Sequence, residues 1–335
     1  MPGQTDARLG RIVSVLMRYP TVTISGTKLA HEIGTTRFEV WRLVEQLRSL
    51  GVEITGHPAS GYQLMALPDL LLPELLKPLV GGTIFCDHIH HYYRAGSTNM
   101  LALEAASTGA PEGSVYLAEQ QTAGRGRGNH QWLSAAGAGV YCSVILRPPL
   151  PPSEVLVLSL AAALAVESAV QEIEPRAPLD LKWPNDLMIA GKKFCGILTE
   201  MNADATRVRH IVVGIGINVN HSEFPPEIRD TATSLRMATG KPWSRIALCA
   251  ALLKSLAREY RALSENPGAH HDILRRFEEN SSMVRGAEVR VEENGSFEGI
   301  TEGLDPRGFL QVRANQELRT VYSGSVRLKP GRRGD

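Results

Sequence analysis

Apolar positions fall into three regimes along the chain. In residues 1–66 they recur at helical spacing. Leu9, Ile12, Val13 and Leu16 predict a first helix, and Leu29 and Ile33 a short second one that stops at Gly34. Thr36, with Glu39 three residues on, is a capping box that opens a third helix. Its inner face reads Val40, Leu43, Val44, Leu47 and Leu50, and Gly51 ends it. "VEITGHPASGYQL" follows as two short strands around a Gly/Pro/Ser tip. Helix, glycine turn, helix and hairpin together predict a winged helix-turn-helix.

A Pro/Leu-rich connector, residues 67–82, leads to a segment in which the periodicity mixes. Over 83–275, "SVYLAEQ", "GVYCSVIL", "FCGILTEM" and "HIVVGIGINV" read as strands, and Ser153 to Ile173 and Ser244 to Leu263 as helices. Residues 281–330 form a run of short strands, with turns expected at Asn294-Gly295 and at Asp305-Pro306-Arg307-Gly308. The pattern predicts a multidomain α+β protein: a reading head, an enzyme-sized middle and a small β-barrel.

Composition narrows the class. With 335 residues, 43% of them hydrophobic, the chain can bury a sizeable core. Its net charge of +1 argues against a general polyanion binder, so any nucleic-acid surface is local. Residues 1–66 carry seven Lys/Arg against five Asp/Glu, a weak footprint that points to DNA binding as a dimer. The cysteines, Cys86, Cys142, Cys195 and Cys249, are too dispersed for a CxxC site or a disulfide framework and fit a reducing compartment. No signal peptide is read at the start, and the apolar stretch Val155 to Val170 is read as a buried helix rather than a membrane span. The expectation is a cytoplasmic protein with no membrane partner.

On the third helix, Thr36, Arg37, Phe38, Trp41 and Arg42 occupy the outward face and first turn, the DNA-reading position of the motif. In the middle segment, "GRGRGNHQW" (124–132) follows a strand directly. Its glycines, Gly124, Gly126 and Gly128, can take positive φ and turn N–H groups toward one point, with Arg125 and Arg127 adding charge for an anion. "AGSTNM" offers Ser97, Thr98 and Asn99 for an uncharged polar head group. "LKWPNDLMIAGKKFCGIL" brings Lys182, Asn185, Asp186, Lys192 and Lys193; the oxygens of Asn185 and Asp186 suit Mg2+, and a lysine suits a substrate carboxylate or phosphoryl charge. "GIGIN" (214–218) carries two strand glycines, a sign of close backbone approach, and ends on Asn218. Each stretch alone also reads as an ordinary turn, cap or bulge. No nucleophile elbow and no paired cysteine is present. In "DHIHHYYR", Asp87, His88, His90 and His91 lack a defined third ligand, so no metal site is assigned.

"GSTN", "GRGRGNHQW", "KWPNDL", "GKKFCGIL" and "GIGINV" in this order resemble the bifunctional biotin–protein ligases that also repress biotin-synthesis genes. The resemblance spans essentially the whole chain. It implies a winged helix-turn-helix, a mixed-sheet ligase domain of the class II synthetase-like type and an SH3-like C-terminal barrel. It also implies a two-step reaction: biotin and ATP give biotinyl-5'-adenylate, and the biotinyl group passes to a lysine of a biotin carboxyl carrier protein. On that resemblance, Lys193 and Arg127 are the catalytic pair. Ser97, Thr98, Asn99, Gln121, Gly124, Arg125, Gly126, Arg127, Lys193 and Gly196 surround biotin. Arg127, Trp132, Asn185, Asp186, Gly216 and Asn218 surround the nucleotide and Mg2+. Operator DNA is the implied partner of the reading head, with a homodimer forming on the adenylate. The glycine loop departs from the usual G-R-G-R-x-G-R-x-W: Gly128 and Asn129 stand at the x-G positions, and His130 replaces an arginine. Asn129 tolerates a left-handed turn, and loss of the arginine predicts a leakier hold on the adenylate. A DNA-binding biotin sensor without ligase activity is the rival reading.

Overall fold

A computed structural model describes residues 2–66, 69–204, 207–293 and 295–329, without the side chains of residues 2–7 and 129. The N-terminal unit has helices α1 (Pro2–Met17), α2 (Gly26–Ile33) and α3 (Arg37–Ser49) and the hairpin β1 (Ile54–His57) and β2 (Gly61–Leu64). The periodic positions form its core: Leu9, Ile12, Val13, Leu16, Leu29, Ile33, Val40, Leu43, Val44 and Leu47 are all buried. Gly34 closes α2 at φ 68°, and Thr36 caps α3 by accepting from Glu39 N at 3.2 Å. The reciprocal half of the expected capping box does not form, because the Glu39 carboxylate takes Arg42 instead, at 2.6 and 2.9 Å.

The connector is not a solvated tether. It holds the short helix α4 (Pro73–Leu76). Leu70, Leu72 and Leu75 enter the N-terminal core, while Leu71, Leu76 and Val80 enter the large one. Between those cores sits a buried ion cluster. Arg245 donates to Glu119 Oε2 at 2.6 Å, to Asp69 Oδ2 at 3.1 Å and to the Asp69 carbonyl. Glu119 also accepts from Leu71 N at 2.8 Å and lies 3.0 Å from His91 Nε2. Burial works against the Glu119 charge, but His91 and Arg245 outweigh it and hold its carboxyl below the usual value.

The middle unit is a seven-stranded sheet in the order β3-β4-β5-β9-β8-β7-β6. Its strands are β3 (Ile89–Tyr92), β4 (Val115–Ala118), β5 (Gly139–Leu146), β6 (Leu179–Lys182), β7 (Asp186–Ile189), β8 (Lys192–Ala203) and β9 (Val208–Asn218). Among the described residues, β3 and β4 are the one pair of neighbouring strands in this sheet that runs parallel. Both faces are covered, so β5 is buried along its whole length and reads as a continuous apolar run. Helix α5 (Thr98–Ser107) covers one face, with Ala102 and Ala106 against Tyr116, Ile145 and Val212. On the other lie α6 (Leu156–Ile173), then the short α7 (Leu235–Thr239), α8 (Arg245–Glu265) and α9 (Ala269–Glu279). The stretch Pro152–Ile173 has the length and apolarity to cross a membrane, its most apolar 18 residues reaching a mean hydropathy of 1.8, but 78% of those residues are buried within the fold. All four cysteines are free.

The C-terminal unit is a five-stranded antiparallel sheet, β13-β12-β11-β10-β14, from β10 (Arg285–Glu292), β11 (Ser296–Leu304), β12 (Leu310–Ala314), β13 (Glu317–Val321) and β14 (Ser325–Leu328). Asn294 of its first turn lies outside the described residues, while Glu292 and Ser296 pair across that turn. The second turn forms as expected: Gly308 sits at φ 89° and donates to the Asp305 carbonyl at 2.8 Å. Its apolar face joins the main core, and Trp183 Nε1 donates to the Gly308 carbonyl at 2.9 Å.

Candidate active site

A cavity of about 450 Å3 opens on the middle sheet, over β8 and β9. Of the residues singled out in the sequence, Ser97, Thr98, Asn99, Gln121, Arg125, Gly126, Arg127, Trp132, Asn185, Asp186, Lys193, Gly196 and Gly216 line it. Gly124 and Asn218 do not. Gly124 lines a neighbouring cleft on the far side of Trp132. Asn218 is buried and donates to the Thr233 carbonyl at 3.1 Å; Thr233 N in turn bonds the Lys193 carbonyl at 2.9 Å. Its place is beneath the Lys193 backbone rather than on the cavity wall.

The cavity has a neutral end and a charged end. At the neutral end α5 begins. Gln121 Oε1 accepts from Thr98 N at 2.8 Å and from Thr98 Oγ1 at 3.1 Å. Ser143 Oγ lies 2.8 Å from Thr98 Oγ1 and donates to Asn99 Oδ1 at 2.6 Å. Asn99 Nδ2 donates to Glu200 Oε2 at 3.0 Å. These groups satisfy one another's hydrogen bonds, so their rotamers are fixed before any ligand arrives. At the charged end Lys193 Nζ sits 2.6 Å from Asp186 Oδ1 and 5.4 Å from the centre of the Trp132 ring. Asn185 is locked in place by donating to the Ile197 carbonyl at 2.7 Å.

Between the ends runs the glycine loop. It is a closed turn, with Trp132 N on the Gly124 carbonyl at 2.9 Å and Gly126 N on the His130 carbonyl at 2.8 Å. Of the three loop glycines, each able to take positive φ, the turn uses one that way. Only Gly128 adopts it, at 61°, and Gly126 is extended at −124°. The left-handed position of the turn is therefore Gly128, not the Asn129 put forward from the sequence. Gly124 is needed for space: a Cβ there would lie 2.5 Å from the Trp132 carbonyl oxygen. The strand glycines do what their pattern predicts. A Cβ on Gly216 would strike Trp132 Nε1 at 2.5 Å, and the Trp132 ring lies across β9 and β8 with its buried N–H unpartnered.

Sequence reasoning missed several residues. Ser143 and Glu200 complete the polar ring, and Gly214 gives Asn99 its room, since a Cβ there would lie 1.9 Å from Asn99 Oδ1. Gly214 stands in the "GIGIN" stretch, but only Gly216 was assigned a role. Ser325 and Val326 of β14 also reach the cavity wall. On the N-terminal unit, Thr36, Arg37, Phe38, Trp41 and Arg42 are all exposed on α3. Of the histidines in "DHIHHYYR", His91 is taken by Glu119 and His90 stacks on Tyr116 at 4.8 Å. Among the described residues no three His, Cys, Asp or Glu side chains gather as a metal site.

Three family models match the chain: the biotin/lipoate A/B protein ligase family over residues 92–218, the biotin protein ligase C-terminal domain over 286–329, and an HTH domain over 8–63. The bifunctional ligase/repressor BirA of Bacillus subtilis is 37% identical over 310 residues, covering 91% of this chain and 94% of that protein. The protein of the same name from Escherichia coli is 26% identical over 306 residues, covering 91% and 92%. Among solved structures, the biotin protein ligase of Aquifex aeolicus in complex with biotin and ATP superposes with a TM-score of 0.62 at 31% identity, over 72% of this chain and 99% of that one. The chain belongs to the biotin–protein ligase family, in the branch of bifunctional ligase/repressors.

Proposed function

We propose that the protein is an ATP-dependent biotin–protein ligase that also represses biotin-synthesis genes. The observation that carries the ligase half is the polarity of the cavity: a pre-bonded neutral ring at one end, Lys193 with Asp186 at the other, and a glycine–arginine loop between them. Biotin is such a molecule, with an uncharged ureido ring joined by an aliphatic chain to a carboxylate.

In this reading Ser97, Thr98, Asn99 and Gln121 hold the ureido ring, with Arg125, Gly126 and Gly196 around the chain, while Gly124 leaves room for the Trp132 carbonyl that closes the loop. A biotin carboxylate oxygen attacks the α-phosphorus of ATP, and pyrophosphate leaves. Lys193 and Arg127 stabilise the charge on the carboxylate and on the α-phosphoryl oxygens. Trp132 and Gly216 border the nucleotide. The lysine amine of a biotin carboxyl carrier protein then attacks the acyl carbon, AMP leaves, and an amide forms. The substrates bring both nucleophiles, so positioning and charge stabilisation are the protein's contribution.

Mg2+ fits as a companion of the ATP phosphates rather than as a resident ion. Asp186 is the one carboxylate among the cavity-lining residues, and Mg2+ is commonly held by one or two carboxylates plus substrate phosphates. Asn185 stands beside it, and Asn218 supports the same end from below. The units divide as 1–66 for DNA binding, 67–82 as connector, 83–275 for ligation with a class II synthetase-like fold, and 281–330 as an SH3-like barrel. Operator DNA, a homodimer formed on the adenylate and a cytoplasmic location complete the proposal.

The test is ATP-dependent transfer of biotin to a carrier domain bearing its acceptor lysine. Lys193→Ala is expected to slow transfer by about 10²–10³-fold, the usual cost of removing one charge-stabilising donor. Tight biotin binding without transfer by the unaltered protein would instead favour the sensor that regulates without ligating.

A further inference from the structure

We infer that the reading helix recognises its DNA through an aromatic pair that contacts thymine methyl groups in the major groove. The inference rests on the repressor reading above and adds the class of base it selects.

The outward side of α3 holds two large exposed rings, Phe38 at 70% and Trp41 at 39% exposure. They stand three residues apart on one face, with ring centres 5.6 Å apart and planes inclined at 42°. Water contact at rings of this size is unfavourable, so a role for them in the free domain's stability does not explain the position. The inner face of the same helix, with Val40, Leu43, Val44 and Leu47, already supplies the core.

The polar groups around the pair are committed elsewhere. Arg37 donates to the Pro58 carbonyl at the wing tip, at 2.8 Å. Arg42 makes two bonds to Glu39, at 2.6 and 2.9 Å, and these hold the Glu39 carboxyl below its usual value. The Thr36 hydroxyl caps the helix. The guanidinium groups that would seek guanine edges are thus bonded within the domain. The side chains left to meet a base over the first two turns are the two rings, whose exposed faces are apolar.

The major groove displays one apolar group, the C5 methyl of thymine, and apolar side chains select it. The Arg37 bond also sets the wing tip beside the start of α3, so helix and wing present one continuous surface. The domain matches an HTH model over 8–63, which makes a DNA groove, rather than a protein, the occupant of this face.

The experiment begins by selecting duplexes from a randomised pool with the protein in biotin and ATP. The selected duplex is then resynthesised with deoxyuridine for thymine at each position, which removes only the methyl group. Loss of about four-fold in affinity at each contacted thymine is expected, the transfer value of one buried methyl. In Phe38→Ala and Trp41→Ala that loss disappears, each at its own thymine. Equal binding of the thymine and uracil duplexes overturns the inference, as does a methyl effect that survives in both variants. A change in sedimentation of Trp41→Ala with no methyl effect would instead make the pair a contact between copies. A pool that yields no sequence at all removes the repressor reading itself, which is a different result from selected DNA indifferent to the methyl.

Discussion

Arg125 of the glycine loop is clasped by Glu200 of β8, at 3.0 Å from Oε1 and 3.3 Å from Oε2. The same carboxylate takes Asn99 from the neutral end of the cavity. One side chain therefore joins the loop to the hydrogen-bonded groups at the neutral end of the cavity. Movement of the loop cannot be independent of how that ring is occupied.

Glu200→Ala releases Arg125 and frees one Asn99 donor. The pair is partly exposed, and such pairs are worth about 1 kcal/mol, so escape of biotinyl-adenylate should quicken about five-fold. Glu200→Gln keeps an acceptor for Asn99 and should loosen the loop with less effect on biotin affinity. Stopped-flow dissociation of the adenylate, with biotin affinity measured alongside, separates the two. Unchanged escape in Glu200→Ala would show that Arg125 does not hold the loop.

Gly214→Ala places a methyl where Asn99 Oδ1 now stands. Asn99 must turn away, which also breaks its bond from Ser143. Losing one such bond from a satisfied buried network costs about 1–3 kcal/mol. Biotin affinity should fall about ten-fold or more, and ATP affinity much less, as calorimetry of each ligand would report. An equal loss for both ligands would point to general collapse of the sheet.

Arg245→Ala leaves Glu119 buried with its main cationic partner gone. Removing one member of a buried ion pair costs about 3–5 kcal/mol, and denaturant unfolding should show a loss of that size. Asp69→Asn removes the more exposed partner and should cost about 1 kcal/mol. A variant of Arg245 as stable as the parent would contradict the role of the cluster as a junction.

Glu167 supplies a pH dependence with a definite sign. Burial in α6 pushes its carboxyl up to about 7, against the pull of Arg276. A raised carboxyl favours the folded state fully below the unfolded value of about 4.5 and loses that contribution as pH climbs toward 7. Glu167→Gln keeps the Asn280 contact without the charge. It should match the parent near pH 5 and exceed it near pH 8 by on the order of 2–3 kcal/mol. Melting curves at the two pH values test this, and a gap that does not change with pH would refute it.

Much of this was legible in the chain. The helical spacing from Leu9 to Leu50 gave the reading head, because its contacts are short-range and its punctuation (Gly34, Thr36, Gly51) is local. The loop, "KWPNDL" and "GIGIN" pointed to the cavity because glycine and clustered polar residues mark backbone approach and ligand contact. What escaped was long-range. Glu200 meets Asn99 across 101 residues of sequence, Ser143 meets it across 44, and Arg245 meets Asp69 across 176. A glutamate on a strand looks like a solvated face until its partner arrives from another element. The loop glycines were legible only in part for a related reason. Their abundance suggested conformational freedom, whereas the need at Gly124 is for room, and only the folded packing of Trp132 reveals that.

The Asp69–Arg245–Glu119 junction has a geometric consequence. Glu119 directly follows β4 and lies two residues before Gln121, and Asp69 belongs to the connector whose Leu70, Leu72 and Leu75 enter the N-terminal core, so the reading head is bolted to the segment that borders the cavity. If two copies pair through their ligase domains, the separation of their reading helices is set by that bolt, not by any elasticity in the connector. The distance between DNA half-sites would then be a property of the enzyme body. Exchanging the head for a foreign one would change the letters read but leave the stride between them unaltered.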